Sequence, residues 1–149
     1  MRMMNTGEGD LLAALHDGLS DQPLWSRFLD MLANATGASG ASLLLRPQEG
    51  PIVHLSSGRV LPPVLQQRFT DTRNAAVLMR EGRVYALPEL IRDADDATII
   101  AALEAQGLAH IRSLRLTDAS ATDAWLTIAG DRDFGAAAGS LLSRLGPHL

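Results

Sequence analysis

Apolar positions keep a period near 3.6 at both ends of this chain and switch to short strand-like runs between them. In "EGDLLAALHDGLSD", Leu11, Leu12, Leu15 and Leu19 fall on one helical stripe, with Asp10 as candidate N-cap and Gly18 as stop. Residues 1 to 7 carry no such stripe and read as a flexible tail. "DQPLWSRFLDMLANATGA" predicts a second helix: Asp21 suits the cap, Pro23 the first turn and Gly37 the end. Leu24, Trp25, Phe28, Leu29 and Leu32 form its apolar face, with Met31 a further candidate.

The period then changes. Ser42–Arg46 and Ile52–Ser56 flank the breaker cluster Pro47–Pro51, which is the pattern of a β-hairpin. "LPPVLQQRFTDTRNAAVLMREG" is helical after Pro62–Pro63, with Val64, Leu65 and Phe69 inward and an interruption at Asp71–Asn74. A short strand over Val84–Leu87 ends at Pro88, and "DADDATIIAALEAQGL" is a helix closed by Gly107. "LAHIRSLRL" and "TDAWLTIAG" are strands joined by "TDASATD". The closing helix carries Phe134, Ala137, Ala138, Leu141, Leu142 and Leu145 on one face. This order predicts an α+β domain over residues 8–149, a five-stranded antiparallel sheet flanked by helices.

Composition narrows the function. A chain of 149 residues, 46% hydrophobic and 20% charged, has the make-up of one globular domain. The net charge of −4 leaves no basic surface to neutralise phosphates, which argues against this chain gripping nucleic acid by itself. Cysteine is absent, so disulfides, thiol nucleophiles and cysteine metal sites are excluded. No run approaches the roughly 18 apolar residues of a membrane span. "MRMMNTGEGD" lacks the apolar core of a signal peptide, and a cytoplasmic protein is expected.

The motifs of catalysis are missing. His16, His54, His110 and His148 are far apart and stand in no HxxxH or HExxH pattern. "DADD" lacks the oxygen spacing of a calcium loop and suits helix capping. "GASGAS" has no lysine after it and precedes a strand, so it is no phosphate loop. No serine stands in GxSxG, and SxxK is impossible without lysine. No catalytic residue, metal or cofactor is expected. The better clue is "LAHIRSLRL", where alternation puts Leu108, His110, Arg112, Leu114 and Leu116 on one face. An imidazole and a guanidinium in an apolar face suit a pocket for a polar or anionic ligand. The competing reading is a strand partly solvated at a sheet edge. His54, Phe69, Tyr85 and Trp125 are further pocket candidates.

Both ends of the chain carry a likeness. "LLAALHDGLSDQPLWSRFLDMLANATGASGASLLL" resembles the opening of the N-terminal sensory domain of bacterial LuxR-type helix-turn-helix regulators. Asp21, Leu24 and Trp25 match that family's D-x-x-L-W turn, and Gly37, Ala38, Gly40 and Ala41 match its GA-x-GA entry to the first strand. "AWLTIAGDRDFGAAAGSLLSRLGPHL" is similar to the end of the same domain. The resemblance implies a PAS- or GAF-like fold, a small-molecule ligand, a homodimer, and a closing helix that connects to a DNA-binding module. Such a regulator continues past "PHL" with about sixty residues carrying the recognition helix, which this chain does not contain. Gly146–Pro147 would bend the connector. Leu11, Leu12, Leu15, Leu141, Leu142 and Leu145 are the first candidates for self-association or connection. The alternative is a small enzyme or ligand carrier on the same fold, with His110 as acid and Arg112 as anchor.

Overall fold

The leucine stripe near the start forms helix α1, Arg2–His16. The backbone is helical from Arg2, through the stretch expected as a tail, so Asp10 lies within the helix and is not its N-cap. The reason is cooperative: once one turn is held by packing, each further residue adds a hydrogen bond at little cost. The computed structural model describes residues 2–20, 25–62, 82–86, 97–117, 122–145 and 147. Asp21, Pro23, Leu24, the helix predicted after Pro62–Pro63 with Phe69, and Asp93–Asp96 lie outside them.

A short 3₁₀ turn, Gly18–Ser20, leads out of α1, and Trp25 returns the chain to it. Trp25 sits in the left-handed region at φ 56°, which costs a residue with a Cβ about 1–2 kcal/mol. Two hydrogen bonds hold it there: its backbone N–H donates to the Gly18 carbonyl at 2.9 Å, and its Nε1 donates to the Leu15 carbonyl at 2.9 Å. The indole lies so close over Gly18 that a Cβ at that position would overlap it. Gly18→Ala is therefore expected to destabilise the fold by about 2 kcal/mol, read from the denaturant midpoint. An unchanged midpoint would mean that the indole shifts freely.

Helix α2, Ser26–Thr36, buries Phe28, Leu29, Leu32 and Ala33 and ends at Gly37. The strands follow as β1 Gly40–Arg46, β2 Val53–Gly58, β3 Val84–Ala86, β4 His110–Thr117 and β5 Asp123–Gly130. Helix α3, Ala97–Ala105, precedes β4, and α4, Ala136–Leu145, follows β5. The sheet order is β2-β1-β5-β4-β3, with every neighbouring pair antiparallel. This is the α+β architecture expected. Gly40 and Gly58 pair where β1 begins, and a Cβ on Gly40 would strike the Arg59 carbonyl.

The sheet is covered on both faces, so β1 and β5 near its centre bury most of their residues. On the first face, Ala41, Leu43, Leu126 and Ile128 pack against α1, α2 and α4. Leu11, Leu15, Leu141, Leu142 and Leu145 are buried in that core, and Leu12 is partly buried against it. The leucines singled out for self-association thus serve the interior of one chain. Ala137, expected on the apolar face of α4, is exposed. On the second face, Leu44, Ile111, Trp125 and Ala129 pack with Leu61, Ile99, Leu103, Leu108 and Tyr85.

Candidate ligand site

Register gives the second face a polar middle. Leu44 of β1 pairs with His54 of β2 and with Trp125 of β5, which pairs with Arg115 of β4. One step along, Ser42 pairs with Ser56 and Thr127, Thr127 with Ser113, and Ser113 with Tyr85 of β3. A row of hydroxyl-bearing residues therefore crosses all five strands. At about 4.8 Å per strand it runs roughly 19 Å. Ser42, Ser113 and Thr127 are buried, and Ser113 Oγ and Thr127 Oγ1 share a hydrogen bond of 2.8 Å.

Two ring nitrogens beside this row are buried without a hydrogen-bond partner among the described residues: Trp125 Nε1 and His54 Nε2. Trp125 is 0% exposed, so water does not reach its N–H. Leaving such a donor unmet costs about 1–3 kcal/mol, which is why it is uncommon in a folded core. Burial pushes the His54 imidazole below its ordinary value of 6.5, favouring the neutral ring. Neutral imidazole offers one donor and one acceptor.

A charged cluster closes one end. Asp123 Oδ2 accepts from Arg46 Nη2 at 2.5 Å, and Oδ1 accepts from Arg115 Nη2 and Thr117 Oγ1, each at 2.9 Å. Burial alone would raise the Asp123 pKa, but the hydrogen bonds from Arg46, Thr117 and Arg115 outweigh it and hold the carboxyl below 3.8. The Arg46 guanidinium also lies over the Trp125 ring, 5.1 Å from its centroid.

The structure brings three of the pocket candidates, His54, Tyr85 and Trp125, to this face. It places His110, Arg112 and Leu114 on the other, since Arg112 pairs with Ile128 and Leu114 with Leu126. Leu108, grouped with them by alternation, precedes β4 and packs in the second-face cluster. Phe69 lies outside the described residues. Arg112 holds the loop into α4: its Nη2 donates to Asp133 Oδ1 at 2.9 Å and to the Phe134 carbonyl at 3.3 Å. His110 Nδ1 stands 3.8 Å from the same carboxylate. Residues the sequence reading did not single out are Ser42, Ser56, Ser113 and Thr127 and the cluster around Asp123. Each strand carries a hydroxyl or a charge at one turn of the alternation, but only pairing shows that they line up.

No described helix is long and apolar enough to cross a membrane. No family model matches the sequence, and no curated protein matches it. Solved structures do. CepR2 of Burkholderia cenocepacia, described as an N-acylhomoserine lactone dependent LuxR family transcription factor, aligns with a TM-score of 0.62 at 16% identity, covering 97% of this chain and 93% of that one. The VqsR ligand-binding domain of Pseudomonas aeruginosa aligns at 0.59 and 16% identity, covering 96% and 89%. The far-red absorbing protein JSC1_58120g3 with bound biliverdin aligns at 0.55 and 15% identity, covering 94% and 93%. The fold is therefore PAS/GAF-like, shared over nearly its whole length with a LuxR-family transcription factor.

Proposed function

We propose that this chain is the non-catalytic sensory domain of a LuxR-type transcriptional regulator, binding a small molecule on the second face of its sheet. The buried indole N–H of Trp125, without a partner among the described residues, carries the reading, because a ligand acceptor would complete it. The shared fold supports it, as one protein of that fold is described as dependent on an N-acylhomoserine lactone. In this reading the ligand favours one packing of α4 against the sheet, shifting an existing equilibrium. A helix-turn-helix module outside this chain would receive that shift, and a homodimer would present two such modules to DNA.

With the leucines inside the core, the other side of α4 is the surface we propose for self-association. Ala136, Ala137, Ser140, Ser143 and Arg144 are exposed there, beside an open groove of about 800 Å³ shared with Gly82, Arg83 and Val84. Small side chains let another helix come close. The enzyme or carrier reading gains nothing from His110 and Arg112, which engage Asp133 on the helix-covered face.

A thermal-shift screen of N-acylhomoserine lactones and polar aromatic molecules tests the proposal, with amide exchange as second readout. A binder is expected to raise Tm and to slow exchange at both Thr127 and the α4 residues. Absence of any stabilising molecule, or protection that never reaches α4, would overturn it. Sedimentation is expected to find a dimer; a monomer at every concentration removes the dimer from the reading.

A further inference from the structure

We propose that the outer edge of β2 is a second self-association surface, where another copy of this chain pairs its own β2 antiparallel and two sheets become one. Strand β2 ends the sheet, with β1 on one side and no strand on the other among the described residues. Its register with β1 fixes which backbone groups face outward. The Arg59 N–H donates to the Ser39 carbonyl at 3.0 Å, in step with the pairing of Gly40 with Gly58. Antiparallel pairs alternate between hydrogen-bonded and not, so Val53, Leu55 and Ser57 direct their N–H and C=O groups at β1. Those of His54 and Ser56 point away from the sheet, and no described residue bonds to them. Such a row is a template for another strand.

Edges are ordinarily guarded by charge, proline or a bulge. Val53–Gly58 holds no Asp, Glu, Lys, Arg or Pro, and its pairing with β1 runs without a bulge. Its two ends are apolar and open, since Ile52 is 50% exposed and Val60 48%. Symmetry and charge name the occupant. Ile52 and Val60 each stand four positions from Ser56, so a two-fold axis at Ser56 sets Ile52 of each copy opposite Val60 of the other. Ser56 then meets Ser56 and His54 meets Gly58, so residues whose backbone groups face outward meet their like. The chain has a net charge of −4, so two copies repel in general, and this edge lets them meet with no formal charge inside the paired strands. A charged peptide would find nothing there to recognise. The edge lies at the far end of the sheet from β3 and the groove beside α4, so it is separate from the surface proposed there. One strand's length is a small interface, and the dimer is expected to dissociate on dilution.

Cysteine is absent from the chain, so one introduced thiol reports the contact without background. Ser56→Cys places two thiols across the axis at roughly 5.5 Å between Cα atoms, within the reach of a disulfide. Mild oxidation is expected to link this variant into a covalent dimer. A charge swap tests the register in the otherwise wild-type chain, followed by sedimentation. Ile52→Glu with Val60→Glu sets like charges opposite each other twice and is expected to weaken the dimer at least about tenfold. Ile52→Glu with Val60→Arg sets opposite charges there at unchanged net charge and is expected to restore it. Both positions are about half exposed, so folding is spared. The Ser56 amide is expected to exchange fast in the dilute monomer and slowly in the dimer. Four outcomes overturn the assignment: a monomer at every concentration, no linking of Ser56→Cys, a dimer indifferent to both double variants, or a Ser56 amide protected in the dilute monomer. The third returns self-association to α4, and the fourth means that a segment of the same chain covers the edge. None of them bears on ligand binding at the second face.

Discussion

Replacing Leu142 by alanine is expected to lower the unfolding free energy by about 3 kcal/mol, roughly 10 °C in Tm for a domain of this size. Leu142 is 0% exposed and packs among Phe28, Leu29, Leu32 and Ile128, so the lost methylenes leave a cavity in the largest core. Chemical denaturation reads the effect, and protein concentration separates its two possible origins. A core residue loses the same free energy at every concentration. A residue in a dimer interface loses it in proportion to assembly, so its midpoint moves with concentration. A concentration-dependent loss with an unchanged monomer would remove Leu142 from the core and return it to the interface.

Asp123→Asn is expected to cost about 2–3 kcal/mol, near the lower end for breaking a buried ion pair because some solvent reaches the cluster. The carboxylate is 15% exposed, and Arg46 and Arg115 both bond to it, so its loss places two guanidiniums beside each other without it. The same group predicts an acid limb. Its folded pKa lies below 3.8, so its contribution is present above that value and fades as pH falls through the folded one. Melting curves across that range should show the wild type losing stability that the asparagine variant has already lost. Parallel acid limbs in the two proteins would refute the assignment. Because Arg46 also lies over Trp125, the cluster and the proposed ligand face should respond together, with the Trp125 indole signal shifting in the variant.

Most of the architecture was legible from period alone. Leu11 and Leu15, the stripe from Phe28 to Leu32, and the stripe from Leu141 to Leu145 gave helices whose buried faces the structure keeps. The short apolar run Ser42–Arg46 beside its breaker cluster, and the run through Trp125 to Ile128 after a polar turn, gave strands. The texture at both ends pointed to the LuxR-type sensory fold, and the solved structures share it. Turn chemistry did less well at the start: nothing local told the chain to stay helical from Arg2, since helix extension depends on packing further along.

What each side chain faces was not legible. Alternation divides a strand into two sets but does not say which set meets helices and which meets a ligand, and in a sheet covered twice both sets are buried. Arg112 looked like a ligand anchor until the fold brought Asp133 to it across 21 positions of sequence. The leucine stripes looked available to a partner until three helices closed over one face and used them.

The sequence by itself determined the α+β class, the antiparallel sheet and the order of the described helices and strands, because those follow from local periodicity and from glycine placement. Only the tertiary structure decided the site. Ser42, Ser56, Tyr85, Ser113 and Thr127 stand on five separate strands, from position 42 to position 127, and hydrogen-bond register alone sets them side by side. Register is a long-range choice made by the whole core, and no window of neighbouring residues contains it.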